Sequence, residues 1–293
     1  MRSLLLMSAA AVLIGAAPAQ KLPTPNDIVT GAPASAWKEI PADDLLVMDL
    51  ANGGRIVIQL APDFAPVHVA NIQALARGNY WQGAAVYRLQ DNYVAQWGHN
   101  DSDKPWPAGV TVKPPAEYTR AYSGLAITPL GSPDAYAPGA GFSGGWPIAY
   151  SEKAGWANLA HCYGTVGVGR DLSPDTGTGG ELYAAIAPLR HLDRNIAVVG
   201  RVIDGMSNLS SLPRGTEALG FYKNKAQYVP IARIQLASQM SAGERLAYEY
   251  MDTASPTFAQ YLHLRANRHD DFYIQPAGGV DLCNVQVPVR KKA

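Results

Sequence analysis

Residues 86–98 read Val86-Tyr87-Arg88-Leu89-Gln90-Asp91-Asn92-Tyr93-Val94-Ala95-Gln96-Trp97-Gly98. Two short apolar runs flank the polar turn Asp91-Asn92-Tyr93, which is the pattern of a β-hairpin. An arginine in the middle of an apolar strand is an unfavourable placement for an unpaired cation. What meets Arg88 depends on the turn, because strand side chains alternate between faces. A three-residue turn sets Gln96 opposite Arg88 on the same face, and a two-residue turn sends them to opposite faces.

Working outward, Leu45 to Leu50 and Arg55 to Leu60 flank the Asn52-Gly53-Gly54 turn and form an earlier hairpin. Pro62 to Pro66 is a turn. From Val67 the apolar spacing becomes helical, with Val69, Ile72, Leu75 and Ala76 on one face and Gly78 as the stop. Downstream, Thr165 to Val168, Leu182 to Ile186, Ile196 to Val202 and Ile231 to Leu236 read as short strands, and Asp204-Gly205-Met206 opens a helix-like stretch. Residues 98–160 are rich in Gly, Pro, Trp and Tyr without a sustained period and read as a loop-rich insertion. Residues 20–43 read as an N-terminal linker or extended arm. Beyond 236, Ser241 to Tyr250 and Ser255 to Arg268 read as helical, with Ser255-Pro256 as N-cap and first helical residue. Val280, Leu282, Val285, Val287 and Val289 form a last apolar alternation. No internal repeat is present.

The chain has 293 residues, 47% hydrophobic and 16% charged, with zero formal net charge. That supports one large core with extensions or two modest domains. The 28 glycines and 22 prolines favour short strands and turns over long helices. The one basic run, Arg290-Lys291-Lys292, reads as a solvated tail, so no nucleic-acid partner is expected. Residues 1–19 have the layout of a signal peptide: Arg2, an apolar Leu4–Ile14 stretch too short to span a bilayer, and Ala17-Pro18-Ala19 as cleavage site. A periplasmic or secreted protein without membrane insertion is therefore expected. In such a compartment Cys162 and Cys283 are expected to form a disulfide, the alternative being two buried free thiols. The bond would close a loop worth about 4 kcal/mol in the chain-entropy model.

Other constellations carry little. His99, Asp101 and Asp103 match no closed zinc pattern, and Asn100 to Asp103 lacks the glycine and distal glutamate of a calcium loop. Gly177-Thr178-Gly179-Gly180 lacks the following lysine of a phosphate loop, and no Gly-x-Ser-x-Gly elbow occurs. Asn208-Leu209-Ser210 fits a glycosylation acceptor formally. The aromatics between 80 and 160 read as loop packing rather than a carbohydrate surface. No metal and no cofactor is expected.

In order along the chain, residues 45 to 236 resemble the cyclophilins. The resemblance rests on Ala65-Pro66 opening a helix that contains Asn71 and ends at Gly78-Asn79-Tyr80, on Val86-Tyr87-Arg88-Leu89, and on Asn92 to Gly98. It continues through Gly164 to Gly169, Glu181-Leu182-Tyr183, Leu192-Asp193, Val198-Val199-Gly200-Arg201-Val202 and Gly205-Met206. The tail, with Asp252 to Phe258 and Leu282-Cys283-Asn284-Val285, is similar to that of larger exported bacterial members. The resemblance implies a mainly β fold. The expected architecture is a closed eight-stranded cyclophilin-like antiparallel barrel at 44–236, capped by helices, with a C-terminal α/β extension at 237–293 packed on it.

The family geometry selects the three-residue turn, so Arg88 and Gln96 become the catalytic pair. By the same resemblance Tyr93 and Tyr183 wall a proline pocket, lined by Val94 and Leu192. Several positions depart from the family pattern. Glu181 stands for a glutamine, where a carboxylate could capture Arg88; Gly169-Arg170 replaces an Ala-Asn pair that holds substrate backbone. His191 replaces a common tryptophan and Ile196 a common histidine. The implied activity is peptidyl-prolyl cis-trans isomerisation on proline-containing unfolded or exported polypeptides. The alternative is a weak or inactive proline-peptide-binding chaperone or scaffold.

Overall fold

Eight strands close into an antiparallel barrel in the computed structural model, which describes residues 22–100 and 103–292. The segment read as a signal peptide, and Asp101 of the weighed metal cluster, lie outside those residues. Around the barrel the order is Thr165–Val168, Leu182–Ala185, Val94–Gly98, Ala85–Leu89, Val229–Leu236, Leu45–Leu50, Arg55–Leu60 and Val198–Asp204, which pairs back to Thr165–Val168. Closure leaves no exposed sheet edge.

Alternation explains the sequence of these strands. Leu46, Met48, Ile56 and Ile58 point into the core with Val86, Trp97, Val166, Leu182 and Val199. Leu45, Val47 and Val57 point outward, yet they too are buried, under Ile40, Met240 and Tyr248. The first hairpin is therefore apolar on both faces because an outer layer covers it. Helix Pro66–Arg77 starts with proline at its first position and adds Val69, Ile72, Leu75 and Ala76 to the barrel core. Each large aliphatic buried this way contributes about 1.5–3 kcal/mol. Ala65 gives that helix no side-chain cap. Instead the carboxylate of Glu117 accepts from the backbone N–H groups of Val67 and His68, both at 2.9 Å. Leu209 of the short helix Ser207–Ser210 also enters the barrel core.

Several sequence expectations are corrected. The 98–160 stretch is not simply loop. It holds a five-stranded sheet ordered Arg120–Ala121, Trp156–Leu159, Trp146–Ser151, Gly139–Ser143, Thr128–Pro129. Its strands are short, and it turns at Gly144-Gly145, both at positive φ, so no period builds up. The N-terminal arm carries helix Pro25–Thr30, closed by a Thr24–Asp27 capping box, and strand Trp37–Glu39. Ser241 to Tyr250 is not helical; strand Tyr248–Met251 pairs with Trp37–Glu39 on one side and Val289–Lys291 on the other. The basic tail is thus a paired strand. Arg290 bridges to Glu249 at 2.8 Å and Lys292 to Glu39 at 2.5 Å. The Val280–Val289 alternation is largely irregular chain around a 3₁₀ turn at Leu282–Asn284, with Leu282, Val285 and Val287 buried. Helix Pro256–Ala266 forms as read, with Ser255 Oγ accepting from Phe258 N at 3.1 Å.

The arm, the insertion and the extension together build a second core. Trp37, Phe142, Met251, Phe258, Tyr261, Leu282 and Val285 meet there. Cys162 and Cys283 are joined in a disulfide across a sequence separation of 121, with Cα atoms 4.9 Å apart.

Candidate functional site

The Ala85–Leu89 and Val94–Gly98 strands are joined through Asp91-Asn92-Tyr93, with Gln90 N donating to Val94 O at 2.9 Å. Arg88 and Gln96 are register partners. Arg88 Nη1 donates to Gln96 Oε1 at 2.9 Å, Nη2 to Gln90 Oε1 at 2.7 Å and Nε to the Leu219 carbonyl at 2.7 Å. The guanidinium carbon stands 5.5 Å from the centroid of the Tyr93 ring and 5.2 Å from that of Phe221. Three neutral acceptors thus fix a planar cation that two aromatic rings approach. Burial holds its pKa below the usual arginine range, but an arginine remains a cation at neutral pH.

Glu181 does not take the guanidinium. Tyr87 Oη donates to Glu181 Oε2 at 2.7 Å, and the His99 and Asn100 amides donate to Oε1 at 2.8 and 3.2 Å. Gln96 Nε2 donates to Tyr87 Oη at 2.6 Å. The hydrogen bonds therefore run in one direction from Gln96 through Tyr87 to Glu181. This leaves Gln96 Oε1 as the end that faces Arg88 and fixes the amide's orientation. Burial first, and the Glu181 charge second, push the Tyr87 hydroxyl well above the usual tyrosine range, so it stays a donor. Among the described residues Arg88 has no carboxylate partner.

Beside the cation lies an apolar cluster of Val94, Tyr183, Ala185, Ala187 and Leu189, with Tyr93, Leu192 and Ile196 partly exposed at its surface. Val94 and Tyr183 form its floor, at 2% and 6% exposure. Tyr183 faces Gln96 across the sheet. Its ring lies over Gly167, where a Cβ would fall 2.3 Å from the Tyr183 hydroxyl. His191 stacks on Tyr93 at a 6.1 Å centroid distance and 15° between planes, extending the aromatic rim. Gly169 lies close by, bonding to the Glu181 carbonyl at 2.8 Å; a Cβ there would sit 3.3 Å from Gln96 Nε2. Arg170 is directed elsewhere. Its guanidinium donates to the carbonyls of Asn195 and Asp171 and lies over Tyr118.

Further residues build the site that the motif reading did not single out. Gln90 and the Leu219 carbonyl hold Arg88, the latter from 131 positions along the chain. Behind the pocket floor, the Tyr183 hydroxyl sits 3.2 Å from His161 Nε2. His161 Nδ1 lies 3.0 Å from Asp193 Oδ1, and Arg190 joins Asp193 at 2.6 Å and Asp134 of the insertion at 2.8 Å. A buried polar chain therefore runs from the pocket into the insertion. The hydroxyl of a tyrosine in an apolar floor is the sequence signal that such a partner is needed.

The family model for cyclophilin type peptidyl-prolyl cis-trans isomerase/CLD matches residues 45–236. The chain belongs to this family. A probable peptidyl-prolyl cis-trans isomerase of Brucella suis is 23% identical over 176 residues, covering 60% of this chain and 74% of the relative. Peptidyl-prolyl cis-trans isomerase B of Bacillus subtilis is 24% identical over 166 residues, covering 57% of this chain and 88% of that protein. The crystal structure of cyclophilin AquaCyp293 from Hirschia baltica superposes with a TM-score of 0.69 at 21% identity, covering 92% of this chain and 98% of the other. That likeness of fold extends past the family match into the segments that flank the barrel.

Proposed function

We propose that this protein isomerises X-Pro bonds in exported polypeptides, with the proline ring against Tyr93, Val94, Tyr183 and Leu192 and the imide beside Arg88. The observation that carries this reading is a guanidinium fixed by Gln96, Gln90 and Leu219, with no carboxylate partner among the described residues, at the edge of an apolar aromatic cluster. The barrier to rotation, about 18–20 kcal/mol, comes from amide resonance. Twisting the bond localises the lone pair on the imide nitrogen. A fixed N–H donor then binds the twisted form better than the planar one, which lowers the barrier without a nucleophile or cofactor. The engagement of Glu181 by Tyr87 favours turnover over a silent peptide-binding site, since it leaves Arg88 to the substrate.

The test is Arg88→Ala in an exchange assay on a proline-containing peptide. We expect kcat/KM to fall by about tenfold to a hundredfold, or ~1.4–2.7 kcal/mol of transition-state stabilisation. Equal rates in both proteins would sink the reading. Export rests on the N-terminal segment and agrees with the Cys162–Cys283 bond. Fractionating cells that express the full chain should recover a mature form beginning at Gln20 outside the cytoplasm.

A further inference from the structure

Between the barrel and its C-terminal extension lies a chamber of about 620 Å³, away from the Arg88 groove. Strand Val198–Asp204 and the insertion form one wall; helix Pro25–Thr30, the Tyr261–Arg265 turn of helix Pro256–Ala266 and residues 285–289 form the other. The volume is that of a small-molecule site, about 300–1,000 Å³. Val29, Leu159, Val198, Val285 and Val287 give it an apolar lining.

Two arginines break that lining. Arg201 is partly buried and lines the chamber. Its Nε and Nη2 both donate to one neutral acceptor, Gln59 Oε1, at 3.1 and 2.8 Å, and its carbon sits 4.8 Å from the Trp146 ring centroid. Nη1 makes no hydrogen bond among the described residues, and no carboxylate pairs with the group. Arg265 also lines the chamber. Its Nη2 donates to the Asn284 carbonyl, while its Nε is buried without a partner. The one lining carboxylate is Asp204, which accepts from Tyr248 Oη at 2.6 Å and pairs with Lys291 at 3.3 Å. Burial holds the Arg201 pKa down at about 10, so it is still a cation at neutral pH. A partly desolvated cation without a counter-charge gains from a ligand that supplies one.

We propose that this chamber binds a small monocarboxylic acid with an apolar body, its carboxylate on Arg201 and Arg265 and its hydrocarbon along the valine wall. A guanidinium receives a carboxylate through two parallel N–H donors, which suits the unbonded edge of Arg201. The proposal is independent of the isomerase reading.

The test is calorimetric titration of the full-length mature chain with octanoate, and with octanol as the uncharged counterpart. Octanoate should bind at least about tenfold tighter than octanol, one charge-assisted contact's worth. Arg201→Gln should remove that preference, Arg201→Lys should keep part of it, and the isomerase rate should be unchanged in both. Should Arg201→Gln not fold, Arg265→Gln, which is expected to weaken octanoate severalfold, replaces it. No octanoate binding at millimolar concentration, equal binding of octanol, or undiminished binding in the Gln variants would overturn the proposal.

Discussion

Gln96 and Tyr183 are direct partners across the junction of the Val94–Gly98 and Leu182–Ala185 strands. One carries the amide that aims Arg88, and the other floors the apolar cluster. The donor and the ring pocket are therefore mounted on adjoining rungs of one closed sheet. Their separation is fixed by backbone pairing, so catalysis needs no closing segment to bring them together. Each side chain in turn has its own support: Tyr87 for Gln96 and His161 for Tyr183.

Tyr87→Phe removes the acceptor for Gln96 Nε2 and a donor to Glu181 at once. We expect kcat/KM to fall by about threefold to tenfold and stability by about 1–3 kcal/mol, as for other polar groups left unpaired. Because the Tyr87 pKa is raised, the wild-type rate should stay flat through the mildly alkaline range rather than drop as a tyrosinate forms. Rate profiles from pH 7 to about 10, together with urea titrations of both proteins, check both statements.

Asp193 gives the fold an acid sensitivity. Burial opposes its ionisation, but the His161 hydrogen bonds and the Arg190 charge outweigh this and hold its carboxyl below its ordinary value of 3.8. A carboxyl depressed in the folded state contributes stability that is complete above its unfolded pKa. That contribution is lost as pH falls through the lower, folded value. Unfolding free energy should accordingly decline below about pH 4, and Asp193→Asn should be less stable at pH 7 and show a shallower decline. Urea midpoints measured between pH 7 and pH 2 provide the comparison.

The Cys162→Ser, Cys283→Ser double variant should lose about 5 kcal/mol or less in denaturant titration, the chain-entropy value for a sequence separation of 121 being the upper bound. Its isomerase rate should stay within about twofold of the parent, because the bond ties down the second core and not the Arg88 groove. A reductant added to the wild type should reproduce the stability loss.

Gly220 holds the loop that delivers the Leu219 carbonyl to Arg88. It sits at φ +77°, and a Cβ there would fall 2.4 Å from the Gln90 Cα. Gly220→Ala should therefore push the loop and Gln90 apart, displacing two of the three groups that fix the guanidinium, the Leu219 carbonyl and Gln90. We expect kcat/KM to fall by about tenfold with about 1–3 kcal/mol of destabilisation, the range for strained backbone positions. The exchange assay and a thermal melt measure the two effects.

The barrel was legible because each of its strands is a short run with its own turn signal. The face-to-face relation of Arg88 and Gln96 follows from a period of two and the three residues between Gln90 and Val94. What was not legible is what distance in sequence hides. The Leu219 carbonyl and the His161–Asp193–Arg190–Asp134 chain become neighbours of the site only through closure of the barrel. The insertion sheet escaped because strands of two to six residues broken by glycines leave no measurable period. Ser241 to Tyr250 was misread for a related reason. Apolar Tyr248 and Met251 also suit a helical spacing, and it is their two strand neighbours, 37–39 and 289–291, that decide the outcome.

The three-stranded sheet gives folding an order. Its central strand, Tyr248–Met251, is made after the barrel is complete, and both its neighbours are remote: Trp37–Glu39 near the start and Val289–Lys291 at the finish. Such long-range pairings form late, because chain closure must precede their reward. During synthesis the residues around Trp37 thus wait, unpaired, until residues 248–251 have been made. A nascent chain halted before residue 289 would carry a finished barrel with its fastening held on one side only.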